Sequence, residues 1–264
     1  MNMNEIRKLI SGAEYNFLNT NKHLGRNIIL LGLGGSHAYG TNTESSDLDI
    51  RGCTLNSKEE ILCGEDFEHF TDVPTDTTIY SFMKLIRLLT SCNPNTIEIL
   101  GLAPERYIYL SDIGKELLEN RKMFLSKKAY LSFSGYATGQ FHRLENKSDG
   151  IALGKRNKNA ILHNKIGKHM MHLLRLYLMC LDILEKAEIV TYREKEHDLL
   201  MSIRNGAFLD SESQPTAEFF ALVEDYKKKL EYAYKNTDLP ESPDHKKIRE
   251  FVISVNERVV LGKI

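Results

Sequence analysis

Three aspartates have a spacing in this sequence that would allow them to do chemistry together. Asp47 and Asp49 lie two residues apart in Asp47–Arg51, where polar and apolar residues alternate as in a half-buried strand. Side chains at positions i and i+2 of a strand lie on one face, so both carboxylates are expected to point the same way. Asp76 precedes Thr77–Tyr80, whose β-branched residues predict another strand.

Two parallel carboxylates repel each other unless a cation lies between them. Mg²⁺ is a hard cation that binds oxygen, often one or two carboxylates together with the phosphates of a substrate. If the strand after Asp76 neighbours the strand of Asp49, the three carboxylates would form a cluster suited to two ions, Mg²⁺ or Mn²⁺. Arg51 would share their face and could pair with a carboxylate or a phosphate. Asp72 is the rival third carboxylate, but it precedes Pro74 and is expected in a loop.

A glycine-rich turn lies shortly before these aspartates. Asn27–Leu33 is a short apolar run that predicts a buried strand, and residues 32–36 form the turn after it. The turn is not a dinucleotide fingerprint, because His37 stands in place of the third glycine, nor a P-loop, because Thr41 replaces the lysine. Its backbone N–H groups and the Ser36 hydroxyl could hold an anion. The alternatives are a plain strand-to-helix turn and, for the aspartate pair, a solvated face.

The elements that must position these residues change in type along the chain. An opening helix is predicted over 4–22, short strands over 60–63 and 67–70, and a helix capped by Ser81 that runs to about Cys92. From residue 111 onward the helical period dominates, and Ile189–Tyr192 is the one candidate strand. The predicted helices there are 111–120, 127–146, 157–186, 194–204, 216–236 and 244–261. The pattern predicts an α+β fold: a domain over 1–115 with a mixed sheet flanked by helices, then an all-helical domain over 116–264.

The helix predicted over 157–186 carries a basic stripe. Lys168, His172 and Arg175 stand at i, i+4 and i+7 and therefore share one face, which would suit the phosphates of a nucleotide. A solvated basic face is the alternative, and His172 alone could be a core histidine. Residues 142–175 hold eight Lys or Arg against two acidic residues, whereas residues 41–76 hold ten acidic residues against two basic ones. The net charge of −1 thus conceals two segments of opposite sign.

Length and composition bound the class of protein. With 264 residues, 42% of them hydrophobic, the chain is not expected to be disordered. The four cysteines fit no zinc-site spacing, so reduced thiols are expected. The N-terminus is not a signal peptide, and no apolar stretch approaches the roughly 18 residues of a membrane span. A soluble, cytoplasmic protein without a membrane partner is predicted.

Several motifs together resemble the nucleotidyltransferases of the DNA polymerase beta superfamily, and within it the bacterial and phage group linked to RNA repair. The superfamily markers are Gly35-Ser36-x-Ala38-Tyr39-Gly40 and Ser46-Asp47-Leu48-Asp49-Ile50-Arg51-Gly52. The features similar to that group are Asp76, Tyr80-x-x-x-Lys84, Asn93-Pro94-Asn95-x-x-Glu98, Lys168-x-x-x-His172-x-x-Arg175-Leu176 and Ile203-Arg204-x-Gly206.

The resemblance implies a mixed sheet and a helical domain that closes over a nucleotide. It implies that the metal ligands are Asp47, Asp49 and Asp76, and that the nucleotide-binding residues include Gly35, Ser36, Lys168, His172 and Arg175. Arg51, which would share the face of the aspartates, is a further candidate to bind the nucleotide. The expected reaction is transfer of a nucleoside monophosphate from an NTP such as ATP to a hydroxyl, with two metal ions. The expected acceptor is the 3' end of an RNA, including a tRNA. The alternatives are a protein hydroxyl, as in toxin–antitoxin members of the superfamily, a small-molecule acceptor, and a nucleotide- or RNA-binding module without turnover.

Overall fold

The structure, a computed structural model, describes residues 2–65, 67–148 and 166–264. Their contacts divide the chain into two compact units. The first unit comprises Met1–Leu125, Val190–Tyr192 and Ser242–Ile264, and the second comprises Ser126–Ile189 and Arg193–Glu241. The first unit contains the sheet and the second is helical, which confirms the predicted α+β class.

The first unit is built on a five-stranded mixed sheet of order β3-β4-β2-β1-β5. Its strands are β1 (Ile28–Leu33), β2 (Ile50–Thr54), β3 (His69–Asp72), β4 (Thr77–Ser81) and β5 (Tyr107–Leu110). The central strand β1 is buried along its whole length and pairs antiparallel with both β2 and β5. β2 pairs parallel with β4, and β3 pairs antiparallel with β4. The parallel pair is the one that matters for the aspartates, because it aligns the starts of β2 and β4.

Helices surround this sheet. Those of the first unit are α1 (Met3–Ile10), α2 (Phe17–Thr20), α3 (Gly35–Tyr39), α4 (Lys58–Cys63), α5 (Phe82–Thr90), α6 (Pro94–Ile97), α7 (Asp112–Glu119) and, after the second unit, α12 (His245–Val260). Single 3₁₀ turns cover Ala13–Tyr15, Gly25–Asn27, Glu98–Gly101, Pro104–Arg106 and Arg121–Phe124. One core cluster joins the residues after α1 to the sheet, through Tyr15, Leu18 and Leu24 against Ile28, Leu31, Ile50 and Ile79.

The second unit packs around one long buried helix. Its helices are α8 (Lys128–Ser148), α9 (Ile166–Lys186), α10 (His197–Arg204) and α11 (Ala217–Asn236). α9 contacts α8, α10 and α11, and buries nearly every residue from Met170 to Leu184. At its end Asp182, 9% exposed, binds the buried guanidinium of Arg193 (Nη1–Oδ2 2.5 Å).

The two units do not divide at the predicted boundary after residue 115. The first unit extends to Leu125, and α12, near the end of the sequence, packs in the first unit as well. The reason is side-chain packing: Arg258 of α12 binds Glu116 (Nη2–Oε2 2.8 Å), and the rings of Phe251 and Phe82 lie 5.9 Å apart. The helical period of α12 is readable in the sequence, but its packing partner is not.

Most predicted helices are confirmed within the described residues, but four predictions outside the glycine turn and the aspartates are wrong. The predicted helix over 4–22 breaks at Ser11–Gly12, and α1 and α2 flank a 3₁₀ turn. Residues 60–63 form part of helix α4, because Ser57 and Glu60 make a capping box in which each side chain accepts the other's backbone N–H (3.1 and 2.9 Å). The strand predicted over 67–70 begins two residues later, as β3.

The fourth wrong prediction concerns a strand, because a segment becomes a strand only where a neighbouring strand pairs with it. Ile189–Tyr192 is not a strand, whereas β5, which the sequence analysis missed, pairs with β1 as an edge of the sheet. The four cysteines form no disulfide with any described residue. In the part of the chain that the structure describes, no helix is long and apolar enough to cross a membrane.

Candidate active site

The glycine turn follows the end of β1. Leu33 is the last residue of β1, Gly34 is extended (φ −110°, ψ −174°), and Gly35 begins α3 with a positive φ of 52°. The backbone N–H of Gly34 donates to the Asp49 carbonyl (2.8 Å). Ser36 is 8% exposed, and its hydroxyl makes no hydrogen bond to any described residue. The turn therefore presents a free hydroxyl beside the backbone of Asp49.

The carboxylate of Asp49 packs directly on this turn. A Cβ at Gly35 would lie 2.7 Å from Asp49 Cγ and would collide with Oδ2. A Cβ at Gly34 would lie 3.0 Å from Arg51 Cγ and 3.2 Å from Asp49 Cβ. Two glycines in succession therefore leave the space that the Asp49 and Arg51 side chains fill.

The first part of the aspartate prediction requires a correction. Strand β2 begins at Ile50, so Asp47 and Asp49 belong to the segment that leads into it. The reason is that the antiparallel ladder with β1 ends at the pair Leu33–Ile50, where β1 gives way to the turn. Asp47 is exposed and Asp49 is half-buried, so alternation on a strand face does not orient the two carboxylates.

The second part, that the strand after Asp76 neighbours that of Asp49, is confirmed. In the parallel ladder Ile50 pairs with Thr77, and the Ile50 N–H donates to the Asp76 carbonyl (3.1 Å). Asp76 adopts a left-handed backbone conformation (φ 44°) at this point. The segment containing Asp49 and the residue Asp76 therefore lie at the same end of the sheet.

Arg51 links these two acidic residues. Its Nη1 donates to the Asp76 carbonyl (2.6 Å), and its Nη2 lies 3.1 Å from Asp76 Oδ1 and 3.7 Å from Asp49 Oδ1. The predicted pairing of Arg51 with a carboxylate is thus present. Among the described residues, no three His, Cys, Asp or Glu side chains converge closely enough to hold a metal ion. The assignment of metal ligands to Asp47, Asp49 and Asp76 therefore stays a prediction.

Asp72 is engaged elsewhere. It ends β3 rather than lying in a loop, and its Oδ2 accepts from the N–H (3.1 Å) and the hydroxyl (2.8 Å) of Thr75. These bonds hold the tight turn between β3 and β4. Asp72 therefore has a structural role in this turn.

Several residues around α3 were not singled out from the sequence. Buried Tyr39 donates its hydroxyl to Glu98, and the Glu98 carbonyl accepts from Thr191 Oγ1 (2.7 Å). Gly40 ends α3 with φ 73°, and a Cβ there would lie 2.9 Å from Tyr192 Cζ. Tyr39, Gly40 and Glu98 belong to the quoted motifs, but nothing in the sequence marks residues 191 and 192.

One titratable group in α3 is also shifted by its surroundings. His37 is 4% exposed, and burial lowers the pKa of its imidazole, while a hydrogen bond to the Ser46 backbone acts in the opposite direction. Burial thus favours the neutral imidazole, so His37 contributes less positive charge beside the turn than a protonated histidine would.

In the second unit, the three basic residues of α9 lie within its first three turns. Lys168 is exposed, and the Arg175 guanidinium, 9% exposed, lies 2.8 Å from His172 Nδ1. Because a guanidinium only donates, His172 Nδ1 is the acceptor of this hydrogen bond. The shared face is therefore confirmed for His172 and Arg175.

A fourth cation belongs to the same region of the second unit. A Cβ at Gly167 would lie 2.7 Å from the Ile203 carbonyl and 2.9 Å from the carbonyl carbon of Arg204, so α9 and α10 pack closely there. Burial lowers the pKa of the Arg204 guanidinium. The two motifs that contain Lys168 and Arg204, far apart in sequence, thus lie on packed helices. The bases at 155, 156, 158 and 165 lie outside the described residues.

The comparison with known families decides the assignment. The family model described as "RNA repair pathway DNA polymerase beta family" matches residues 10–254. The chain belongs to this family. Its match covers the glycine turn and the aspartates of the first unit, together with the basic residues of α9 in the second.

Two further proteins are similar to this family member. An uncharacterised 38.9 kDa protein of Enterobacteria phage T4, from the nrdC–mobD intergenic region, is 28% identical over 114 residues. The alignment covers 38% of this chain and 34% of the phage protein, so the match spans about a third of that relative's length. The crystal structure of a nucleotidyltransferase-like protein from Exiguobacterium sibiricum aligns with 98% of this chain and 75% of its own, at 10% identity and a TM-score of 0.30.

Proposed function

We propose that this protein is a metal-dependent nucleotidyltransferase that transfers a nucleoside monophosphate from an NTP to the 3' hydroxyl of an RNA, including a tRNA, and releases pyrophosphate. The observation that supports this most is the contact of the Asp49 carboxylate with Gly35, beside the free hydroxyl of Ser36. This contact brings an acidic group and a phosphate-binding turn together in a member of the polymerase beta family.

The glycine turn would hold the triphosphate. Ser36 Oγ can donate to a phosphate oxygen, and no side chain at Gly34 or Gly35 obstructs a close approach to the backbone. Arg51 lies next to the turn and offers its guanidinium to a phosphate once it exchanges a carboxylate for it. The glycine turn and Arg51 would therefore orient the α-phosphorus toward the acceptor.

The donor set suits a divalent cation by its chemistry. Asp47, Asp49 and Asp76 offer only carboxylate oxygens, the ligands that Mg²⁺ or Mn²⁺ prefers, and Asp47 and Asp76 are exposed enough to turn toward an ion. One or two bound ions would make the acceptor hydroxyl more acidic and offset the charge that develops on pyrophosphate.

The reaction itself exchanges one phosphoester bond for another. The acceptor oxygen bonds to the α-phosphorus, the bond from that phosphorus to the bridging oxygen breaks, and pyrophosphate leaves. Asp76, 57% exposed and hydrogen-bonded to Arg51, is our candidate to accept the proton of the attacking hydroxyl.

The acceptor can be tested by following the label of each α-³²P NTP incubated with the protein and either total RNA or total protein. We expect label at RNA 3' ends, removable by a 3' exonuclease. Label on a polypeptide would instead support the protein-modifying alternative. NTP binding with no label transferred to either pool would support a nucleotide-binding module, and would contradict the proposed transfer to RNA.

Replacing Lys168 by alanine and Arg175 by methionine is expected to weaken NTP binding by about 10- to 100-fold, because each cation can make a charge-assisted hydrogen bond to a phosphate. Methionine at position 175 retains the apolar volume of a side chain that is 9% exposed. The measurement is calorimetric titration with a non-hydrolysable NTP.

The matched control for this variant is Lys186→Ala, which removes a cation from the last turn of the same helix, where it binds Asp182. It should leave NTP affinity unchanged. Wild-type affinity in the double variant would show that Lys168 and Arg175 do not bind the nucleotide.

A further inference from the structure

The first unit has a second charged site, at the end of the sheet opposite the glycine turn. A cleft of about 960 Å³ opens where β1 begins and β2 ends, with Asn27 and Leu55 in its wall. Since β1 has six residues at about 3.3 Å each, the cleft lies about 20 Å from Gly34 along the strand. It is therefore separate from the candidate active site.

The cleft has an excess of positive charge that the protein does not neutralise. Four exposed cations line it and form no ion pair or side-chain hydrogen bond with any residue in the described ranges: Lys22, Arg26, Lys58 and Lys263. Arg258, also in the wall, binds Glu116. Unpaired cations that converge on a concave surface create a field that attracts polyanions.

Two side-chain carboxylates, Glu59 and Asp112, also line this cleft, but one is already neutralised. Asp112 Oδ1 lies 2.9 Å from Lys115 Nζ, which leaves Glu59 as the carboxylate of the wall without an ion pair in the described part of the chain. Tyr109 of β5, 48% exposed, adds an aromatic ring to the same wall. Cations beside an exposed aromatic ring are the combination that binds the backbone and a base of single-stranded nucleic acid.

We propose that this cleft binds the phosphodiester backbone of single-stranded RNA, and that the bound strand is the body of the acceptor. The second part rests on the proposed transfer to RNA; the binding itself does not. Lys22, Arg26 and Lys58 contact phosphates, and Tyr109 stacks on a base. A separation of about 20 Å lets one strand occupy the cleft while its 3' end reaches the glycine turn.

The test is fluorescence anisotropy of a 5'-labelled 20-nucleotide single-stranded RNA against full-length protein, over a series of salt concentrations. Lys22→Ala, Arg26→Ala and Lys58→Ala are combined in one variant. Log affinity falls linearly with log salt, and loss of three phosphate contacts should make this slope shallower by about 2. It should also lower the affinity at low salt by at least tenfold. Tyr109→Ala should weaken binding severalfold without changing that slope.

A charge-matched control combines Lys8→Ala, Lys122→Ala and Lys246→Ala, three exposed lysines of the first unit outside the cleft. It should bind RNA nearly as the wild type does. Equal losses in both triple variants, or no loss in the cleft variant, would overturn the proposal, as would absence of RNA binding by the wild type. Stronger binding to an acidic peptide than to RNA would also overturn it.

The binding assay needs no turnover. It therefore tests RNA binding by the cleft even if the proposed nucleotidyl transfer to RNA is wrong. Where transfer is observed, the cleft variant should lose activity on the 20-nucleotide acceptor and keep it on a trinucleotide too short to span the cleft and the turn. Equal activity of the wild type and the cleft variant on both acceptors would show that the cleft does not bind the acceptor RNA during transfer.

Discussion

Replacing Asp47 and Asp49 together by asparagine is expected to lower nucleotidyl transfer about a thousandfold or more while the protein stays folded. Asparagine keeps the size of each side chain but removes the negative charge that a divalent cation requires. Asp47 is exposed and Asp49 is half-buried. Because asparagine keeps the shape of each side chain and removes the repulsion between two carboxylates, we expect stability to stay roughly intact or to rise. Pyrophosphate release and thermal unfolding measure the two effects.

The control for this variant is Asp238→Asn, an exposed carboxylate of the second unit outside the candidate site. It should leave turnover and stability unchanged. A double variant that still turns over NTP at the wild-type rate would show that these aspartates do not hold the metal. A double variant that is inactive but also unfolds at a much lower temperature would show that they hold the fold instead.

Gly35→Ala is expected to lower both the free energy of unfolding and the rate of nucleotidyl transfer. Two separate effects of the added Cβ contribute, and they can be measured separately. Alanine at φ 52° pays about 1–2 kcal/mol for the left-handed backbone conformation. In addition, its Cβ would displace the Asp49 carboxylate from the turn. We expect a loss in the free energy of unfolding above the backbone cost alone, and at least a hundredfold loss of turnover, since a small displacement of a positioning group has large effects.

The chain contains a matched control for the backbone cost. Gly64 ends α4 at φ 68°, and nothing lies within 4 Å of the Cβ that alanine would add there. Gly64→Ala should lose about 1–2 kcal/mol of stability with turnover unchanged. If Gly35→Ala behaves in the same way as Gly64→Ala, the contact with Asp49 has no functional role. Urea unfolding and pyrophosphate release on both variants decide this.

Local sequence signals predicted most of the helices. Ser81 caps α5 through its bond to the Lys84 N–H (3.2 Å), and the periodic segments after residue 111 are helical where the structure describes them. The capping box at Ser57 and Glu60 was readable by the same reasoning and was overlooked. Predictions failed for strands, because pairing partners decide a strand: β5 exists only beside β1, and β2 begins only where its ladder with β1 begins.

The sequence by itself determined which groups are available for chemistry. It supplied a glycine turn without a lysine, three aspartates in order, a basic helix face, and the family that these motifs together indicate. The tertiary structure decided which of them meet. Asp49 packs on Gly35, and Arg51 binds Asp76, 25 residues away. The order β4-β2-β1 brings these groups to one end of the sheet. The physical reason is that residue spacing orients side chains within one element, whereas contacts between elements depend on strand pairing and packing across the whole chain.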